Sequence, residues 1–254
     1  MTGPLADARA EAVLDRLHAR NARQFRAIVL SYLPHAILSR FTGRSSVGGS
    51  STSDAGYLRD KLLALDADKG ALAYLLCRAL DARRAVEVGT SFGVSTIYLA
   101  AALRDNAAIG GGSRIVIGTE IEPTKVAAAR ANLADAGLHS FVDIREGDAL
   151  ITLGDVGSID FLLIDIWIPL ALPALKLLAP KLRSGAIVMC DNVRHFAKEF
   201  QDYTEFVRDP ANGFRSMLWP KQRGMELSVR TAARTEVEDA LIDNRSSPRA
   251  LRSS

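Results

Sequence analysis

The chain has 254 residues, which at about 150 residues per domain gives one large domain, or one domain with a modest appendage. Hydrophobic residues make up 48% and charged residues 24%, ordinary globular usage that excludes wholesale disorder and collagen-like or coiled-coil composition. With 32 basic and 29 acidic residues the net charge is +3, and no stretch gathers enough Lys and Arg for a nucleic-acid footprint despite a pI near 9.0.

Cys77 and Cys190 lie far apart among apolar neighbours, which is neither a disulfide framework nor a metal-binding spacing, and buried free thiols are expected. The first dozen residues carry Asp7 and Glu11 and no apolar segment of the kind that opens a signal peptide. The longest uncharged run, residues 88–103, is broken by Gly, Ser and Thr and falls short of the roughly 18 apolar residues of a spanning helix. The expectation is a cytoplasmic protein with no membrane and no nucleic-acid partner.

In chain order, residues 5–42 read as helical, with Leu14, Leu17, Phe25, Ile28, Val29 and Tyr32 at roughly helical spacing and Pro34 as an interruption. Residues 43–56 are too polar and glycine-rich to pack and mark a flexible loop, a hinge or a lid. A helical pattern resumes over 62–80. From Arg84 the pattern changes to short β-branched runs alternating with amphipathic stretches. Strands are predicted at 85–88, 114–120, 142–145, 159–165 and 186–190, and helices near 95–103, 123–136 and 170–178. Such alternation predicts an α/β fold, a mainly parallel sheet with helices on both faces. The unbroken apolar runs Ile115-Val116-Ile117 and Phe161-Leu162-Leu163-Ile164 suit strands buried on both sides. A helical stretch over 194–207 then precedes two extended segments, 214–219 and 225–229, able to pair as a hairpin. Residues 231–254 hold little apolar material and read as a poorly ordered tail. The expected division is therefore a helical extension and loop over 1–60, a main domain over 61–230 and a tail over 231–254.

Ligands of open parallel sheets bind beyond the carboxyl ends of the strands, so the residues after each strand are the ones to read for chemistry. The first such turn runs Glu87-Val88-Gly89-Thr90-Ser91-Phe92-Gly93-Val94-Ser95. Gly89 and Gly93 allow close backbone approach to a ligand, and Ser95 is placed to cap the next helix. A dinucleotide fold would show G-x-G-x-x-G and an acid about 20 residues later, but here the turn is G-x-x-x-G and Glu120 lies further on. A pocket for a nucleoside without a pyrophosphate fits better, with Glu120 accepting from both ribose hydroxyls. Glu122 reads as a carboxylate at a helix N-terminus.

Together with the runs Gly118-Thr119-Glu120-Ile121-Glu122-Pro123, Glu146-Gly147-Asp148-Ala149, Ile164-Asp165-Ile166-Trp167 and Asp191-Asn192-Val193, this turn resembles class I S-adenosylmethionine-dependent methyltransferases. The resemblance is to the catechol and caffeoyl-CoA type O-methyltransferases and covers roughly residues 60–230. It implies a Rossmann-like sheet of seven strands, the last two forming the hairpin, and S-adenosylmethionine as cofactor. By the resemblance Glu87 and Gly89 lie beneath the methionine part, with Ser91 and Gly93 in the same turn and Ser95 near its carboxylate. Glu120 takes the ribose, and Asp148 with Ala149 forms the adenine turn. Asp165, Asp191 and Asn192 take the positions of a divalent cation's ligands, and three hard oxygen donors on neighbouring strand ends suit Mg²⁺ or Ca²⁺. The plainer reading is that Asp165 and Asp191 cap helices or bond loop amides.

One departure from the family stands out. Related enzymes commonly read Asp-x-Trp-Lys, the lysine aiding deprotonation of the acceptor hydroxyl, whereas this chain has Asp165-Ile166-Trp167-Ile168. Asp165 and His195 are then the catalytic candidates, His195 because imidazole titrates near neutral pH. Trp167 and the apolar stretch after it either line an acceptor pocket or form a buried helix, and Trp219 is either an aromatic wall or a core residue.

The expected function is methyl transfer from S-adenosylmethionine to a hydroxyl of a small phenolic acceptor with metal assistance, the N-terminal region covering the acceptor side. A metal-free methyltransferase with another acceptor, a catalytically silent cofactor-binding relative and a nicotinamide oxidoreductase are the rivals. The apolar N-terminal helical region is also compatible with a homodimer.

Overall fold

The computed structural model describes residues 4–42 and 61–231, with side chains from 27 to 42 excepted. The Gly/Ser-rich segment expected as a hinge or lid and the tail beyond 231 lie outside the described residues. The chain begins with helix α1 (Ala8–Thr42) and continues after residue 61 through α2 (Ala67–Ala79), β1 (Arg84–Val88), α3 (Val94–Gly110), β2 (Ile115–Glu120) and α4 (Pro123–Asp135). Then come β3 (Val142–Glu146), α5 (Ala149–Thr152), β4 (Ile159–Ile164), α6 (Ile168–Leu178), β5 (Leu182–Asp191), α7 (Gln201–Arg208), β6 (Phe214–Trp219) and β7 (Met225–Arg230). The seven strands form one sheet in the order β3-β2-β1-β4-β5-β7-β6. β1 to β5 run parallel, and β7 pairs antiparallel with both β5 and β6.

The period-two alternation of a strand explains how β4 serves two cores. Phe161 and Leu163 pack on one side with Leu14 and Leu17 of α1, Cys77 of α2, Ile97 and Leu103 of α3 and Leu133 of α4. Leu162 and Ile164 pack on the other with Leu153, with Leu175 and Leu178 of α6, and with Tyr203 and Val207 of α7. Each wholly buried leucine of these layers contributes about 1.5–3 kcal/mol. Helix α3 is buried on nearly every side over residues 94–103, as expected of a helix that is apolar all round.

Several boundaries differ from the sequence expectation. The first helix runs through Pro34, which forfeits a backbone donor without ending the element. Residues 61–66 are not helical: Leu62 N–H donates to Gln24 Oε1 (3.3 Å) and Ala64 N–H to Asn21 Oδ1 (3.4 Å), so these amides are held by α1. β5 starts earlier than 186, at Leu182, taking in Gly185 at φ +79°. The segment expected as one helix over 194–207 is helical only from Gln201, because Asn192 sits at φ +63° and His195 N–H is shared between the carbonyls of Asn192 and Arg223. The expected hairpin forms, but its second strand is inserted beside β5 and its first lies at the sheet edge.

The described half of α1 is tied to the main domain. Arg9 donates to the carbonyls of Asp135 (2.6 Å) and Ala134 (2.8 Å) at the C-terminus of α4, where exposed carbonyls and the helix dipole favour a cation. Arg104 pairs with Asp7 on the other side. Both cysteines are free and buried. Among the described residues no helix is long and apolar enough to cross a membrane.

Candidate active site

The strand order reverses at β1, whose chain leads to β2 on one side while β4 lies on the other, and the crevice at such a switch point is where open α/β sheets bind ligands. Gly89, at φ +100°, follows β1, and a Cβ on it would fall 2.1 Å from the carbonyl oxygen of Asp165. Only glycine fits there, so the turn and the end of β4 touch through backbone and a ligand meets a surface without side-chain bulk. Leu62, Leu65, Ser91, Phe92 and Asp165 line the hollow around it.

Glu87 lies beneath this turn, wholly buried. Thr90 and Thr96 hydroxyls donate to its Oε2 at 3.0 and 2.5 Å, while Oε1 has no partner. Burial pushes the Glu87 carboxyl up, against the lowering effect of Ser95, Thr96 and Thr90 hydroxyls. Ser95 therefore belongs to the carboxylate's surroundings, and the expected cap is not formed: the N-cap of α3 is Gly93, at φ +84°, without a side-chain bond. Gly118 on β2 makes room for Thr90, since its Cβ would lie 2.3 Å from Thr90 Oγ1.

Glu120 ends β2 and binds two backbone amides, Ser91 N–H at 2.8 Å through Oε2 and Glu122 N–H at 2.9 Å through Oε1. Each oxygen keeps a further lone pair for a diol. Glu120 also pairs in register with Glu146, and its carbonyl accepts from Gly147, so the turn at Asp148 and Ala149 adjoins it. Asp148 is exposed and caps α5 through Leu150 N–H (2.8 Å), while Ala149 is buried.

On the other side of Gly89, Asp165 follows β4 and Asp191 ends β5, Ile164 being in register with Cys190. Burial first, then the charges of Asp191 and Glu87, push the Asp165 carboxyl up to about 8, opposed by Lys69 and Arg223. Asp191 is also pushed up by burial and held back mainly by Lys69. The Lys69 ammonium, wholly buried, makes a direct ion pair with Asp191 Oδ1 and lies 3.4 Å from the Gly224 carbonyl and 3.9 Å from Asp66. The Asn192 backbone amide donates to the same carboxylate.

Asp165, Asp191 and Asn192 are thus brought together as expected, but the set does not fit a divalent cation as it stands. One carboxylate oxygen is already taken by the buried Lys69 ammonium, and a second cation on that carboxylate would meet its repulsion. Lys69 and Arg223 were not singled out in the sequence. The available signal was that Lys69 shares its buried helix face with Ala73 and Cys77 at four-residue spacing, an ammonium inside an apolar stripe.

His195 is exposed, its ring edge-on to Phe196 at 4.6 Å. Trp167 precedes α6 and is 54% exposed near Asp165, whereas Ala171, Ala174, Leu175 and Leu178 make α6 a core helix. Trp219 packs partly buried against the core. Glu122 is the N-cap residue of α4, without a side-chain capping bond.

A glycine turn over a buried acid, a second acid ending β2, and an antiparallel last strand inserted next to β5 together define a class I methyltransferase fold and its nucleoside crevice. A methyltransferase domain model matches residues 86–193. The catechol O-methyltransferase of Niastella koreensis is 30% identical over 162 residues, covering 61% of this chain and 70% of that protein. The catechol O-methyltransferase of Mycobacterium tuberculosis is 33% identical over 133 residues, covering 52% of this chain and 57% of that protein, so the match spans just over half of the latter. Among solved structures, the O-methyltransferase TomG from Streptomyces achromogenes, in complex with SAM, superposes with a TM-score of 0.59 at 24% identity over 74% of this chain and 93% of that one. Cofactor-bound Rv0187 from MTB gives 0.60 at 24% identity over 77% and 95%. The chain belongs to the class I S-adenosylmethionine-dependent O-methyltransferase family.

Proposed function

We propose that the protein transfers a methyl group from S-adenosylmethionine to a hydroxyl of a small phenolic acceptor. The observation that carries this reading is the bare crevice at Gly89, flanked by the ribose-type acid Glu120 on one side and the acid pair Asp165 and Asp191 on the other. Gly89 admits the methionine end, and Glu87 Oε1, a buried acceptor without a donor, is available to its cationic end. Glu120 takes the ribose hydroxyls, and the turn at Asp148 and Ala149 takes the base. When bound, S-adenosylmethionine supplies a methyl group on a sulfonium, open to in-line attack.

The chain's own residues then have to place the acceptor oxygen and receive its proton. Asp165, whose carboxyl is pushed upward by burial and by Asp191, is the base within the crevice, since a base titrating near the working pH is the most effective. His195 stands at the exposed rim as the second candidate. Alignment in the crevice supplies much of the acceleration, because the displacement is bimolecular. Divalent-cation assistance is left out of the reading, as Lys69 already engages Asp191. Trp167, exposed beside Asp165, provides an aromatic face for a planar acceptor.

The test is calorimetric titration with S-adenosylhomocysteine, followed by mass spectrometry of catechol-type acceptors incubated with S-adenosylmethionine. Micromolar binding and a mass gain of one methyl group on an acceptor oxygen are expected. Binding without transfer to any hydroxyl acceptor points to the silent relative, and no binding removes the reading.

A further inference from the structure

We propose that the Lys69 ammonium takes the place of a divalent cation at the ends of β4 and β5, making methyl transfer by this protein independent of added metal. The proposal rests on the methyltransferase reading for its consequence, but its physical content is a property of the apo site.

Asp191 is 6% exposed and Lys69 is 0% exposed, so their direct contact is made away from water, where a carboxylate needs a counter-charge. Lys69 is locked in that position by the packing of its helix. The neighbouring Gly70 lets α2 approach α3 so closely that a Cβ would fall 2.4 Å from the Tyr98 ring, and Ala73 and Cys77 continue the buried face. The ammonium has two further oxygen neighbours, the Gly224 carbonyl at 3.4 Å and Asp66 at 3.9 Å, so it has acceptors for more than one of its three protons.

The second strand-end acid feels a further cation at longer range, with no direct ion pair between them among the described residues. Arg223 stands in the turn between β6 and β7, its carbonyl accepting from His195 N–H and its guanidinium lying 5.9 Å from the Phe25 ring, and its charge reaches Asp165. That turn is packed tightly against the loop after Asp191, where a Cβ on Gly224 would lie 2.2 Å from Arg194 Cβ. Lys69 thus already supplies the counter-charge of Asp191, with Asp66 and Glu87 as further acids around the pair, and a metal cation on Asp191 would have to meet the repulsion of the ammonium. Lys69, having no exposed surface, acts through Asp191 and is a positioning residue rather than a catalytic one.

The experiment is a Mn²⁺ titration followed by the electron paramagnetic resonance signal of the free ion, on the full chain and on Lys69→Met, Lys69→Arg and Lys69→Met/Asp191→Asn variants. The wild-type chain and Lys69→Arg are expected to bind no stoichiometric Mn²⁺ below millimolar concentration. Lys69→Met is expected to gain a site at least 10-fold tighter, lost again in the double variant, and wild-type transfer should be unchanged by a chelator. One Mn²⁺ bound per wild-type chain at micromolar concentration and lost in Asp191→Asn overturns the proposal, as does transfer that stops with chelator and returns with metal. Should Lys69→Met fail to fold, the wild-type titration decides alone. Failure of S-adenosylhomocysteine to bind would remove the methyltransferase reading and leave the Mn²⁺ result standing.

Discussion

Gly89 and Asp165 are in backbone contact across the crevice: the position of a Gly89 Cβ lies 2.1 Å from the Asp165 carbonyl oxygen, at φ +100°. Gly89→Ala must therefore push β1 and β4 apart at their ends as well as strain its own backbone. A loss of about 1–3 kcal/mol in chemical denaturation is expected, together with S-adenosylhomocysteine binding weakened at least 10-fold in calorimetry. A variant binding as tightly as the wild type would show that the cofactor does not sit on this turn.

Glu120 separates a structural from a binding role. Its carboxylate already accepts Ser91 and Glu122 amides, and the proposed ribose contact adds charge-assisted bonds to the same oxygens. Glu120→Gln keeps an acceptor oxygen but loses the charge, and hydrogen bonds to charged groups contribute about 1.5–3 kcal/mol. Affinity for S-adenosylhomocysteine should fall about 10- to 100-fold, with a smaller loss for methionine alone. An equal loss for both ligands would mean that only the loop had been disturbed.

Stability should depend on pH through Glu87. Burial raises its pKa above the ordinary 4.5, so the native state holds its proton at a pH where the unfolded chain has released it. Stability is then lost as pH rises from the unfolded value through the raised folded value. Glu87→Gln removes that part of the decline and should flatten the fall of the melting temperature with rising pH, while weakening cofactor binding because no carboxylate is left for the cationic end of the cofactor. Parallel wild-type and variant profiles in differential scanning calorimetry would refute the assignment.

The choice of base can be read from kinetics. Asp165→Asn should lower kcat by about 100-fold or more, the usual contribution of a positioned base, with S-adenosylhomocysteine affinity changed much less. His195→Gln, at an exposed ring set edge-on to Phe196, should stay within about 3-fold. The opposite pattern would move the base to the rim.

The hairpin depends on a buried carboxylate that takes no part in the proposed site, although it pairs in register with Cys190. Glu226 on β7 is wholly buried and takes both Arg208 (2.8 and 2.7 Å) and Ser216 (2.6 Å). Arg208→Ala should destabilise by about 2–3 kcal/mol, below the range for a fully buried pair because half of the arginine side chain stays solvated. Urea melts check this, and S-adenosylhomocysteine affinity should be unchanged.

Much of the architecture was open to reading because its causes are local. The unbroken apolar run marked Phe161 to Ile164 as a strand covered on both faces, and Pro123 with Gly137 bracketed α4 to within a residue. The glycine turn and the acids Glu120, Asp165 and Asp191 were legible because strand ends face the crevice in any parallel sheet. Ser95 was misread as a cap because Gly93 takes that position in a left-handed conformation, and the segment after Asn192 was misread as helix because its amides are drawn to Arg223.

By itself the sequence determined the alternation of strands and helices, the family and the acids at the strand ends, since each depends on neighbours a few residues away. Only the tertiary structure placed β7 between β5 and β6 and brought Lys69 to Asp191 across 122 positions of chain. The physical reason is that a buried ammonium finds its counter-charge through helix packing, so the partner of Lys69 is fixed by how α2 lies over the sheet and by no pattern near it in sequence.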